Sequence, residues 1–250
     1  MALWAQGFRD IDTATGSMRE LIDHGTKNQR LTASFYTHLL YDDRFKSRIA
    51  KDVILGYDGD LELAACFMGA LTCTLSGDID RLFEKREGVR YGYYEIRKPV
   101  TPRLENFYEG RQEAEALYDN LGKILAQLPK KGVTYDPCIF PWYQVSLAPS
   151  QVICQMALTA YVLQDEEKIT WCGERLKDVT TDGYGAYRSR LINLLLYEPS
   201  NARQREILIG YVGNAEEMTS NKAFQLVKRL KLEDGDFALI EDMLRFKRST

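Results

Sequence analysis

Apolar residues recur along most of this chain at intervals of three and four, the spacing that lines one face of a helix. Leu31, Phe35, His38 and Leu39 form one stripe, and Phe45, Ile49, Val53 and Ile54 form a second that ends at Gly56. Asp43 lies between them as an N-cap candidate, so about 30 residues read as a helix–turn–helix pair. Residues 61–75 are apolar on most sides, which predicts a helix buried between neighbours. Ser76-Gly77-Asp78 reads as its stop, followed by a short amphipathic helix from Ile79. From Pro102 to Leu128 the stripe Leu104, Phe107, Tyr108, Ala114, Leu117, Leu121, Ile124 predicts one long helix, with Thr101-Pro102 as its start and Arg111 as its only interruption. Further stripes follow: Val152, Met156, Tyr161 on a helix from Ser150; Ile169, Cys172, Leu176; Tyr187, Leu191, Leu194, Leu195; then Ile207, Leu208, Val212. Residues 214–247 form a last pair, with Ala223, Leu226, Val227, Leu230 before the LEDGD turn and Phe237, Ile240, Leu244 after it.

Pair starts near Ser150, Tyr184 and Asn214 are spaced as in helical repeats, which stack because no unit can bury its stripe alone. The pattern predicts an all-α chain, an α-solenoid of HEAT-like antiparallel pairs. It divides into N-terminal repeats (1–100), a long helix and loop (101–149) and C-terminal repeats (150–250). Residues 1–16 read as a lead-in, with Met18–Asp23 as a helical turn or two closed by Gly25.

Two stretches depart from this pattern. Residues 88–100 alternate Val89, Tyr91, Tyr93 and suggest a short strand or extended loop. Residues 129–149 hold four of the seven prolines together with Tyr135, Phe140, Trp142 and Tyr143. Aromatics on a proline-stiffened loop make good contact anchors; the competing reading is that Phe140 and Trp142 plug the solenoid groove. Likewise Tyr91, Tyr93 and Arg97 form either an aromatic–basic binding patch or a packed excursion. These seven residues, Tyr91, Tyr93, Arg97, Tyr135, Phe140, Trp142 and Tyr143, are the candidate binding residues.

Composition narrows the function. The chain has 250 residues, 45% hydrophobic and 28% charged, with a net charge of -3, the profile of a soluble globular protein. No apolar run approaches membrane-spanning length, and the first residues make a poor signal peptide. The basic clusters are short and offset by acids, which disfavours nucleic acid as a partner. Five widely spaced cysteines read as free thiols of a cytoplasmic protein. Neither histidine sits at metal-ligand spacing, Gly183-Tyr184-Gly185 lacks the strand of a nucleotide fingerprint, and Asp-Gly-Asp at 58–60 and 234–236 reads as turn and cap chemistry. No catalytic residue, metal or cofactor is expected.

Residues 24–57 and 205–247, above all the acidic turn followed by ALIEDMLRFK, resemble repeat units of the large bacterial helical-repeat proteins of the molybdate metabolism regulator (MolR)-like family. That resemblance implies an interaction array, with this chain as a segment or short relative. The leading expectation is a non-enzymatic scaffold that binds a protein partner or other domains of a longer chain. Two alternatives are an alkylated-base DNA glycosylase of HEAT-like fold and a self-assembling structural protein. The apolar last helix predicts a continuing chain, or an end-to-end dimer through residues 237–246.

Overall fold

A computed structural model describes residues 10–38, 43–73, 75–85, 97–136, 144–178 and 185–214. Among these the chain is helical almost throughout. The elements are α1 (Ile11–His24), α2 (Lys27–His38), α3 (Asp43–Leu55), α4 (Leu61–Cys73), α5 (Leu75–Arg81), α6 (Arg111–Gln127), β1 (Val133–Tyr135), β2 (Val145–Leu147), α7 (Pro149–Leu163), α8 (Glu166–Asp178), α9 (Gly185–Leu195) and α10 (Ala202–Asn214).

The helices pack in two rows. In one, α1 meets α3, α3 meets α6 and α8 meets α10; in the other, α2 meets α4, α4 meets α7 and α7 meets α9. The Tyr118 hydroxyl on α6, 3.8 Å from the Cys172 thiol on α8, continues the first row. Between the rows α3 packs on α4, α6 on α7 and α8 on α9. The chain is therefore an all-α stack of helix pairs, as the periodicity predicts. The frame of the pairs differs from the sequence reading, however: α2 touches α3 only lightly, whereas α3 and α4 form a tight hairpin. Its turn explains why. The Asp58 carboxylate accepts the Asp60 N–H at 3.2 Å, and Asp60 caps α4 by accepting the Leu63 N–H at 3.0 Å.

Four boundaries are corrected. Residues 10–24 are no lead-in: Asp10 caps a 14-residue helix by accepting the Thr13 N–H, and Met18 and Ile22 are buried on its inner face. Ser76-Gly77-Asp78 does not stop a helix but lies inside α5, because Leu75, Ile79 and Leu82 all turn into the core. The long helix does not begin at Pro102. Residues Leu104–Asn106 form a 3-10 turn, and α6 starts only at Arg111. A turn that repeats every three residues also aligns Leu104 and Phe107, so the stripe looked continuous. Tyr108 ends that turn, buried, with its hydroxyl 2.8 Å from the Thr159 hydroxyl on α7, and the Glu113 carboxylate holds the Glu109 N–H at 2.7 Å where the new helix begins. Finally, residues 129–149 are not all loop: β1 and β2 pair antiparallel, Val133 with Leu147 and Tyr135 with Val145. Gly132 has a left-handed φ of 73°, and a Cβ there would lie 2.5 Å from the Leu147 carbonyl oxygen, so the ribbon requires glycine.

Side chains of neighbouring helices satisfy several helix ends. Asn120 on α6 donates to the Ile54 and Leu55 carbonyls of α3, at 3.1 and 2.8 Å, and Gln155 on α7 donates to the Leu71 carbonyl of α4. These carbonyls lie in the last turns of their helices, and each bond ties one pair to the next. The centre of the stack is α7, buried on nearly every side from Ser150 to Leu163.

Candidate functional site

The first two helix pairs do not close on each other. A cleft of about 650 Å³ lies between them, lined from α1 by Arg19, Ile22 and Asp23, from α2 by Arg30, and from α3 by Arg48, Ile49, Asp52 and Val53. The 56–60 turn, Leu63 and Ala64 of α4, and Glu109 complete it. Helical spacing produces this lining. Arg19, Ile22 and Asp23 fall at i, i+3 and i+4, as do Arg48 and Asp52 at i and i+4, so each helix turns one strip toward the cleft. Ile22, Ile49, Leu63 and Ala64 are buried and make an apolar floor; the charged residues stand around it.

Three arginines and five carboxylates line the cleft. Two arginines are engaged: Arg19 pairs with Asp52, and Arg48 lies 3.6 Å from Glu109. Asp60 is used as the α4 cap. Arg30 is different. It is half-buried, and its Nε is buried with no hydrogen-bond partner.

A second cleft, of about 500 Å³, lies between α3, α5, the 3-10 turn, α6 and α7. Its two most inward cations are engaged by neighbours. The Lys51 ammonium sits 3.0 Å from Glu113 and 5.4 Å from the centre of the Tyr108 ring. Arg81 stacks on Phe107, at 4.7 Å, and donates to the Asn106 carbonyl at 2.8 Å.

Of the candidate binding residues, Tyr135 and Arg97 are described; Tyr91, Tyr93, Phe140, Trp142 and Tyr143 lie outside the described residues. Tyr135 is half-buried on β1, and burial raises its hydroxyl pKa, with Glu62 and Asp60 adding to the effect. Arg97 is buried. It donates to Asp80 at 3.2 Å and lies over the Phe83 ring at 5.1 Å, while Arg190 on α9 reaches the same Asp80 oxygen at 3.1 Å. The structure thus does not bring Tyr135 and Arg97 together; Arg97 is bound to Asp80 of α5, the carboxylate that Arg190 of α9 also reaches. The Arg30 cleft had no signal in the sequence: Arg30 is one polar residue beside the stripe residue Leu31, like many others.

Burial pushes the Cys66 thiol up to about 11 and the Cys172 thiol up to about 12, so both are neutral at ordinary pH. His24 stands exposed at the end of α1. Among the described residues no group of three or more His, Cys, Asp or Glu side chains is placed to hold a metal ion.

Residues 1–250 match the family of unknown function DUF5724 along the whole chain. The chain belongs to this family. No curated protein and no solved structure matches it. Among the described residues no helix of this family member is long and apolar enough to cross a membrane.

Proposed function

We propose that the chain is a helical-repeat scaffold that binds a protein partner, or other domains of a longer chain, in the cytoplasm. The observation that supports this reading most is the row-by-row stacking of helix pairs. In such a stack each unit contacts only its neighbours, and the clefts between units are left as recognition surfaces. The chemistry of those surfaces agrees with it. They carry paired charges over apolar floors, and the Cys66 and Cys172 thiols are buried and neutral. Carboxylates outnumber arginines in the larger cleft, which does not suit a phosphate backbone. The ribbon is the second recognition element. Tyr135 stands at the end of β1, and Phe140, Trp142 and Tyr143 follow in the sequence before β2.

Affinity capture with the full chain, followed by titration of the purified partners, tests this. Alanine at Tyr135, Phe140 and Trp142 is expected to weaken a partner about tenfold or more, as loss of aromatic anchors does. Unchanged affinity for every captured partner would overturn the proposal.

A further inference from the structure

We infer that the second cleft, between α3, α5, α6 and α7, binds a neutral aromatic group with a hydrogen-bond donor at its edge: a phenol or an indole. The acceptor is Gln155. It stands on α7, the innermost helix of the stack, and is 3% exposed, yet it lines this cleft. Its amide has one orientation. The nitrogen donates to the Leu71 carbonyl at 3.3 Å, and a flipped amide would set oxygen against oxygen there. The side-chain oxygen accepts no hydrogen bond from the described residues and, unlike the Arg30 Nε, is not sealed from solvent. It therefore opens onto the cleft. A buried amide answered at one end only takes its missing partner from outside the chain, and that partner is a donor.

The rest of the cleft sets the remainder of the ligand. Its cations are each matched: Lys51 by Glu113 at 3.0 Å, Arg81 by Asp78 at 3.2 Å and Arg48 by Glu109 at 3.6 Å. An anion would have to break one of these pairs beside the further carboxylate of Glu105. A cation would meet Lys51 and Arg81 with only a neutral amide to receive it. A neutral ligand disturbs neither. Leu71, Leu117, Leu158, Phe107 and Tyr108 line the cleft, so the body of the ligand is apolar. Arg81 makes it flat. Its guanidinium lies 4.7 Å over the Phe107 ring and its side chain is half exposed, and a planar cation receives an aromatic ring on its face. The volume of about 500 Å³ admits one such group with a short flanking backbone. A free phenol or indole and the tyrosine or tryptophan of a partner polypeptide carry the same chemistry. This assignment goes beyond the scaffold reading, and the titration below decides it whether or not the ribbon binds a partner.

The test is NMR titration of the full chain, read at the Gln155 side-chain amide and the Gly77 N–H. The probes are two pairs with and without the donor, p-cresol against toluene and indole against N-methylindole, together with N-acetyl-tyrosinamide and N-acetyl-tryptophanamide. At least one donor is expected to bind about tenfold or more tighter than its counterpart. Tightest binding of a free ring identifies a small-molecule site, and tightest binding of an amino-acid amide identifies a side chain of a partner. In Gln155→Leu the advantage of the donor should vanish while its counterpart is unaffected. Gly77 lines the cleft, and a Cβ there meets nothing within 4 Å. Gly77→Leu therefore fits its helix and fills the cleft, and it should weaken every probe about tenfold or more with no loss of stability. If Gln155→Leu does not fold, the paired probes and Gly77→Leu still decide. The inference is overturned if donors and counterparts bind alike, if no probe binds, if a folded Gln155→Leu keeps the preference, or if Gly77→Leu leaves binding unchanged.

Discussion

The middle of the stack and its N-terminal end solve the same problem differently. At the middle, α7 is surrounded by α4, α6, α8 and α9, and its buried polar groups are answered by neighbours: Thr159 by Tyr108, the Gln155 nitrogen by the end of α4. At the N-terminal end, α1 to α4 carry an equally apolar inner strip, yet they leave an open cleft with a guanidinium nitrogen unanswered. Stripe residues are alike in both regions. What differs is the polar residue beside the stripe: where it meets a partner on the next helix the pairs lock, and where it does not a cleft is left.

Breaking the locked region should cost the most. Glu113→Ala strips the mostly buried Lys51 ammonium of its carboxylate, and breaking a buried ion pair is expected to lower stability by about 3–5 kcal/mol. Denaturant unfolding measures it, and a loss well under 1 kcal/mol would show the pair to be dispensable. Leu121→Ala, at a fully buried position of α6, should cost about 2–5 kcal/mol, again read from the denaturation midpoint. An equally large loss on truncating Val53, half-buried at the cleft, would erase the contrast between the regions.

Alkaline pH provides a gentler probe of the dry interior. The Cys66 thiol is raised to about 11 by burial, against about 8.5 in an unfolded chain. Protonated Cys66 is the form that suits the fold, so its contribution is fully present below about pH 8.5 and is lost as pH rises toward 11. Unfolding midpoints should therefore fall across that window, on the order of 2 kcal/mol for this thiol, and Cys66→Ala should flatten the decline. The most local effect is that of Gly132→Ala, which should cost about 1–3 kcal/mol through strain at its left-handed backbone. Its effect should be confined to the ribbon, detectable as faster amide exchange at Val133 and Tyr135.

The regularity of the stripes made most of the helices legible from sequence. The 3.6-residue period of α2, α3, α6, α7 and α8 follows directly from which residues the stack buries, Leu31, Ile49, Leu117, Met156 and Cys172 among them. What escaped were features decided by partners distant in sequence. The 3-10 turn before α6 exists because Tyr108 reaches Thr159, some fifty residues on. The three-residue strands are too short to show alternation, and their register depends on Gly132 approaching Leu147. The helix that Asp10 caps has Met18 and Ile22 as its large buried residues, preceded by the small Ala14 and Thr15, and so its stripe is faint. The cleft was invisible for the same reason that it exists: Arg30 differs from a solvated surface arginine only by what the neighbouring helices fail to place beside it.

Arg30 holds a buried donor that the fold leaves unanswered. The direct measurement is the unfolding free energy of Arg30→Met, which keeps the unbranched stem and removes the guanidinium. With the unanswered donor gone, the variant should be more stable than the unaltered chain by about 1 kcal/mol in the absence of ligand. A loss of 1 kcal/mol or more would instead make Arg30 a structural strut.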